Sequence, residues 1–252
     1  MSILSVDLNA DLGEGAGHDV ELLELVSSAN IATGFHVGDA DSMHSAIEAA
    51  RDRGVAVGAH PSLFDRENFG RKEMSVSPGE VFEAVRYQLG VFQAIAETAG
   101  VRPAHVKPHG ALYNMAAREP DLAEAVARAI ETIDPALILF APARSQLAAA
   151  GQAHGLRIAC EVFADRNYLP NGLLVPRTRP EALLHDPMAA AARALRMLRE
   201  GKVRSIDGTD VEVQADTICL HGDTPGAVQF ARALRSQLEE EQVRIQSPGA
   251  LR

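Results

Sequence analysis

Tryptophan is absent and aromatic residues make up only 4% of the chain, so any core must be filled by aliphatic side chains and alanine. Cysteine occurs twice, at Cys160 and Cys219, each inside an apolar, strand-like run. Two such thiols read as reduced core residues of a cytoplasmic protein rather than as a disulfide framework. No apolar run is long enough to cross a bilayer, and no basic segment followed by an apolar run opens the chain, so no membrane partner is expected. Basic tracts are missing too. With a formal net charge of −10 the chain offers no counter-charge to a phosphate backbone, which excludes nucleic acid as a partner. Neither a G-x-x-x-x-G-K-S/T loop nor a G-x-G-x-x-G fingerprint follows the first strand, so no nucleotide site is visible. A His-Glu-x-x-His helix or other compact metal motif is likewise absent.

What is present is a repeat of one construction. Strand-like segments at 3–8, 28–35, 55–58, 104–107, 136–140, 157–163 and 217–220 are each followed by a helical pattern, and polar residues close all of them but the fifth. Glycines end several helices, and Ser77-Pro78-Gly79-Glu80 is a capping box with proline at the first helical position. Parallel strands with helical crossovers follow from this order. A doubly wound sheet concentrates polar residues at one switch point, whereas a closed barrel collects them from most strand ends. We therefore expect an irregular, about seven-stranded parallel β/α barrel. Its 252 residues show no linker or composition shift, which predicts a single domain over 1–252. Two stretches lack periodicity, 61–77 and 167–186. The first carries Arg66, Arg71 and Lys72 and reads as a lid over the mouth. A hairpin turning at Asp207-Gly208 precedes the last strand.

The strand ends then supply the candidate site. Asp7, Asn9 and Asp11 alternate, so they share one face. Lys107 and His109 flank Pro108 and point the same way. With Glu14, His36, Asp39, His60, Asp165, Arg166, His221 and Asp223, they would ring one mouth. Such a ring suits a divalent metal ion that activates water, or general acid–base hydrolysis without metal. It also suits a Schiff base on Lys107 if its pKa were lowered. Spacing alone leaves these open.

Several stretches together resemble the LamB/YcsF family, the A subunit of bacterial 5-oxoprolinase. They are Asn9-Ala10-Asp11-Leu12-Gly13-Glu14, Ser28-Ala29-Asn30-Ile31-Ala32-Thr33-Gly34-Phe35-His36, Gly58-Ala59-His60-Pro61, His105-Val106-Lys107-Pro108-His109-Gly110-Ala111-Leu112-Tyr113-Asn114, Glu161-Val162-Phe163-Ala164-Asp165-Arg166 and the run from Gln214 to Asp223. The resemblance covers nearly the whole chain and departs at Thr33, where cysteine is expected. It implies a barrel of the glycoside hydrolase/deacetylase type and ATP-dependent opening of 5-oxo-L-proline to L-glutamate with B and C subunits. ATP would then enter through the complex. It also implies a deacetylase-like metal set of Asp11, His36 and His60. Lactam hydrolysis assigns catalytic work to Asp11, Lys107, His109, Asp165, His221 and Asp223. Substrate contacts fall to Asn9, Glu14, Arg71, Tyr113 and Arg166, with Arg71 expected to grip the substrate carboxylate.

Overall fold

The first strand sets the plan of the molecule. In β1 (Ser5–Leu12), Val6, Leu8, Ala10 and Leu12 face outward into helices, while Asp7, Asn9 and Asp11 face inward, and all seven are buried. The computed structural model describes residues 4–221 and 226–249, with the backbone but not the side chain of His221. Asp223 therefore lies outside the described residues.

The helices and strands follow the order read from the sequence. After β1 come α1 (Asp19–Leu23), β2 (Ser28–Ala32), α2 (Ala40–Arg51), β3 (Ala56–His60) and α3 (Pro78–Thr98). Next are β4 (His105–Val106), α4 (Gly110–Arg118), α5 (Pro120–Ile133), β5 (Ile138–Ala141), α6 (Gln146–Ala153) and β6 (Arg157–Phe163). A hairpin of β7 (Lys202–Arg204) and β8 (Asp210–Glu212) follows α7 (Pro187–Glu200), and β9 (Thr217–His221), α8 (Ala227–Glu240) and β10 (Arg244–Ile245) complete the chain. Strands β1 to β6 and β9 pair in parallel, and β9 pairs with β1 as well as β6, which closes a seven-stranded barrel surrounded by helices. The register sets Asp7 opposite Thr217 and Asp11 opposite both Asn30 and His221. All strands therefore deliver their C-terminal residues to one rim.

Strand bounds shift by a few residues, β1 running on to Leu12, and three further details differ from the sequence reading. β2 stops at Ala32 rather than running to residue 35, because its ladder with β3 ends at Ala32 opposite His60. The two-residue β10 was not expected; it pairs with Ser5 and Val6 below the start of β2. Asp39 does not join the mouth. It is the exposed N-cap of α2, accepting from the Ser42 amide at 2.9 Å. The capping box at Ser77 and Glu80 forms as expected and starts α3.

Most of the apolar core lies between barrel and helices. The lumen holds a separate, small apolar cluster of Ile138, Phe140 and Ala159, has the Phe163 ring 5.6 Å from Lys107 Nζ, and is otherwise mostly polar. Its lowest layer is Asp7, which accepts from the hydroxyls of Ser27 (2.7 Å), Ser28 (2.7 Å) and Thr217 (2.5 Å). Burial pushes the Asp7 carboxyl up to about 6, against three hydroxyl bonds that favour the charged form. Between the unfolded value near 4 and this one, the folded protein holds the proton more tightly, so stability falls as pH rises through that window. Asp7→Asn should flatten this limb: relative to wild type, its unfolding free energy should rise by up to about 3 kcal/mol between pH 4 and pH 7. Urea melts at the two pH values check it, and parallel curves for the two proteins would refute it.

No helix among the described residues is long and apolar enough to cross a membrane.

Candidate active site

Lys107 leaves β4 pointing into the lumen, where an ammonium would be costly without partners. It has four. Its Nζ lies 2.8 Å from Asp11 Oδ1, 3.1 Å from Glu161 Oε1, 3.3 Å from Asn9 Oδ1 and 2.9 Å from Cys219 Sγ. Burial works to lower the Lys107 pKa, but Asp11, Cys219 and Glu161 outweigh it and hold the amine well above its usual value. The two carboxylates at 2.8 and 3.1 Å favour the ammonium form, which argues against the Schiff-base option. The same cation meets the Cys219 thiol, itself raised by burial despite Lys107.

Asp11 is oriented from behind. Asn30 Nδ2 donates to Asp11 Oδ1 at 2.9 Å and to Asn9 Oδ1 at 2.7 Å, and Asn30 Oδ1 accepts from His105 Nε2 at 2.8 Å. The His105 ring stacks on Phe140 with centroids 4.2 Å apart and occupies the space beside Gly58, where a Cβ would come within 2.2 Å of it. Glycine at 58 is therefore a packing requirement. Burial pushes the His105 pKa down to about 3, so the ring is neutral.

On the rim side, Asp11, Glu14, His60 and His109 bring one ligand atom each within 4.8 Å of the others, all buried. The imidazole tautomers follow from their outer bonds. His60 Nδ1 donates to the Lys107 carbonyl at 2.7 Å, and His109 Nε2 donates to the Phe69 carbonyl at 2.8 Å. The inner nitrogens, His60 Nε2 and His109 Nδ1, therefore carry lone pairs, yet they face each other at 2.9 Å. Asp11 Oδ2 stands 3.4 Å from the first and Glu14 Oε1 3.4 Å from the second. Four potential acceptors thus converge, a set that could hold a cation at their centre. Two imidazoles and two carboxylates suit a divalent ion, and the carbonyl-anchored tautomers are those a ligating histidine needs. Burial and the neighbouring His36 and His60 hold the His109 pKa well below its usual value, which keeps that ring neutral and able to ligate.

His36 stands beside this set rather than within it. Its ring stacks on His109 at 3.9 Å, Nδ1 bonds Ser62 Oγ at 3.0 Å and Nε2 meets Glu14 Oε1 at 3.2 Å. Burial and then His60 push its pKa down to about 2. The expected metal trio of Asp11, His36 and His60 is thus brought together with Glu14 and His109. Asp11 and His60 belong to the convergent four with that pair, and His36 stands outside it.

The lid over 61–77 lies against these rings. A Cβ on Gly70 would come within 2.8 Å of His36 Cβ and 2.9 Å of His109 Cδ2, so only glycine lets the lid touch them. Gln88 from α3 fixes the lid's start by bonding both the amide and the carbonyl of Ser62, and Thr33 Oγ1 donates to Gln88 Oε1 at 2.7 Å. Arg66 ties the lid to the carbonyls of Gly34 (2.6 Å) and Gly38 (3.0 Å). Arg71 lies 4.9 Å over the Phe69 ring.

The remaining candidates come from β6 and α4. Asp165 and Arg166 are buried just beyond β6, and Tyr113 is buried on α4 with its ring edge-on to Phe163 at 5.9 Å. Glu161, Asn30 and His105 were not singled out by sequence reasoning. Glu161 alternates with Phe163 and Asp165 on one strand, a signal of the same kind as Asp7, Asn9 and Asp11. Its Oε2 and the Tyr113 hydroxyl are buried and make no geometric hydrogen bond among the described residues, and burial first, then Glu161, raises the Tyr113 pKa well above its usual value.

A sequence profile of the LamB/YcsF family matches residues 6–252. A lactam utilization protein from Thermus thermophilus is 46% identical over 96% of this chain and 99% of its own, with a TM-score of 0.90. This chain belongs to the LamB/YcsF family. More distant structures share the barrel only. A putative cellobiose-phosphate cleavage protein from Enterococcus faecalis is 16% identical over 99% of both chains, at a TM-score of 0.61. A variant of the peptidoglycan deacetylase PdaC from Bacillus subtilis is 12% identical over 99% of this chain and 90% of its own, at 0.51. The LamB/YcsF chain thus carries a deacetylase-like barrel whose mouth combines a clamped ammonium with a four-acceptor cluster.

Proposed function

We propose that this LamB/YcsF protein is the hydrolytic component of an ATP-dependent 5-oxoprolinase, opening the lactam of 5-oxo-L-proline to L-glutamate together with B and C partner subunits. The convergence of Asp11, Glu14, His60 and His109 beside the Lys107 ammonium carries the reading. The 46% identical lactam utilization protein supports the substrate class. A lactam is a stable amide, and its cleavage needs a proton acceptor for water, a stabiliser for the oxyanion and a proton for the departing nitrogen.

The chain's residues divide these tasks. Asp11 engages Lys107 through Oδ1 and leaves Oδ2 toward the cluster, where it takes the proton of the attacking water. Lys107 offers its ammonium to the developing oxyanion, a role that needs a fixed charge in a dry site. A divalent ion held by Asp11, Glu14, His60 and His109 supplies, when bound, polarisation of the carbonyl and a more acidic water. His109 and the lid exclude solvent. Catalytic roles for Asp165, His221 and Asp223 rest on sequence position, and ATP use through the partners rests on the family resemblance.

A ring-opening assay tests this. Glutamate should form only when this chain, its partners and ATP are combined, and chelation followed by dialysis should abolish it until a divalent ion is returned. Turnover by the chain alone with metal and without ATP would instead make it a stand-alone amidase or deacetylase. Undiminished glutamate formation by partners lacking this chain would refute the reading.

A further inference from the structure

Most cations near the mouth have partners that account for them. Lys107 is clamped by two carboxylates and Arg66 is tied to two loop carbonyls, while Arg193 donates to Asn167 Oδ1 and the Ala164 carbonyl and leaves only its Nε buried without a partner among the described residues. Arg166 has fewer partners still. It is 4% exposed, yet its one hydrogen bond runs from Nη2 to the Val175 carbonyl at 2.7 Å, its Nε is buried without a partner, and it makes no ion pair among the described residues. Two residues past Val175, the half-buried Arg177 makes neither a hydrogen bond nor an ion pair among the described residues. The two guanidinia stand close enough to repel: burial first, then Arg177, push the Arg166 pKa down to about 10. Arg166 follows the C-terminal end of β6 (Arg157–Phe163), the strand whose Glu161 reaches Lys107 at 3.1 Å.

A buried guanidinium whose donors are left unsatisfied is costly, and the cost is relieved by an anion that accepts from them. Its planar fork matches a carboxylate with two parallel bonds. We propose that Arg166, assisted by Arg177, binds the carboxylate of the substrate, so that the chain selects cyclic amides bearing a carboxylate on the ring. This builds on the lactam-opening reading. It moves the carboxylate from the lid's Arg71, which lies on Phe69, to the inner wall beyond β6.

Calorimetric titration of the full-length chain with L-5-oxoproline, with 2-pyrrolidinone (the same lactam without the carboxylate) and with inorganic phosphate tests the proposal. Arg166→Gln should weaken 5-oxoproline binding by ~10- to 100-fold, the scale of losing a charged hydrogen-bond partner, and leave 2-pyrrolidinone binding unchanged. Arg177→Gln should act in the same direction with a smaller effect, and its half-buried position keeps the test open if Arg166→Gln fails to fold. Equal losses for both lactams would overturn the proposal, as would a carboxylate-specific loss in Arg71→Gln with both other variants like wild type. Phosphate binding lost in Arg166→Gln with 5-oxoproline binding intact would also overturn it, leaving an anion site of another kind. Wild-type protein that prefers neither lactam over the other refutes the carboxylate assignment alone; wild-type protein that binds neither refutes the lactam reading beneath it.

Discussion

Replacing Lys107 with methionine should lower turnover of the assembled, ATP-supplied enzyme by at least ~100-fold, the usual scale for losing an oxyanion stabiliser. The strand position of Lys107 alone would predict a change in rate without a change in stability. The clamp predicts both. Methionine fills the volume but leaves Asp11 Oδ1 and Glu161 Oε1 facing an empty centre, and removing one partner of a buried ion pair costs about 3–5 kcal/mol. The melting temperature should therefore fall at pH 7, and the deficit should narrow on acidification, because protonating a carboxylate removes the uncompensated charge. Thermal melts of both proteins at pH 5 and pH 7, beside steady-state rates, separate the two effects. Wild-type stability at pH 7 would mean that Lys107 does not balance these carboxylates.

Asp11→Asn should cost as much in turnover, at least ~100-fold for the loss of a general base, with the opposite signature in stability. An asparagine oxygen can still accept from Asn30 (2.9 Å) and Lys107 (2.8 Å), and its amide nitrogen would face the lone pair of His60 Nε2, where Asp11 Oδ2 now stands at 3.4 Å. An acceptor becomes a donor at the point where four acceptors meet, so the fold should hold while divalent-ion affinity drops. Melting curves, metal titration and rates on the same variant report the three quantities. If Asp11→Asn and Lys107→Met both retain full activity with partners and ATP present, the amide bond is broken elsewhere in the complex.

The alternation of Asp7, Asn9 and Asp11, and the Lys107-Pro108-His109 stretch, made the barrel and its polar rim legible in the sequence. Strand ends and period-two patterns are local properties, and they transfer directly to the fold. Asp39 shows where this stops: a carboxylate after a strand and before a helix is also an N-cap, and only the Ser42 bond decides between the two. Glu161 and His105 were missed because their significance lies in what they meet across the lumen, Lys107 and Asn30, from strands far apart in the chain. The division of labour between His36 and His109 was equally hidden. Two rings 3.9 Å apart differ only in where their outer nitrogens are anchored.

The polar lumen also bears on how the chain is made. Asp7 receives its Thr217 hydroxyl from 210 residues downstream, the same separation that closes the barrel between β1 and β9. At ~5–20 residues per second, a ribosome needs roughly 10–40 s to supply that partner. Throughout this interval β1 presents Asp7, Asn9 and Asp11 to solvent instead of an apolar edge, so the waiting strand stays hydrated rather than adhesive. The side chains that later line the lumen thereby protect the nascent chain, and an apolar lumen on the same closure would lengthen the time at risk of aggregation.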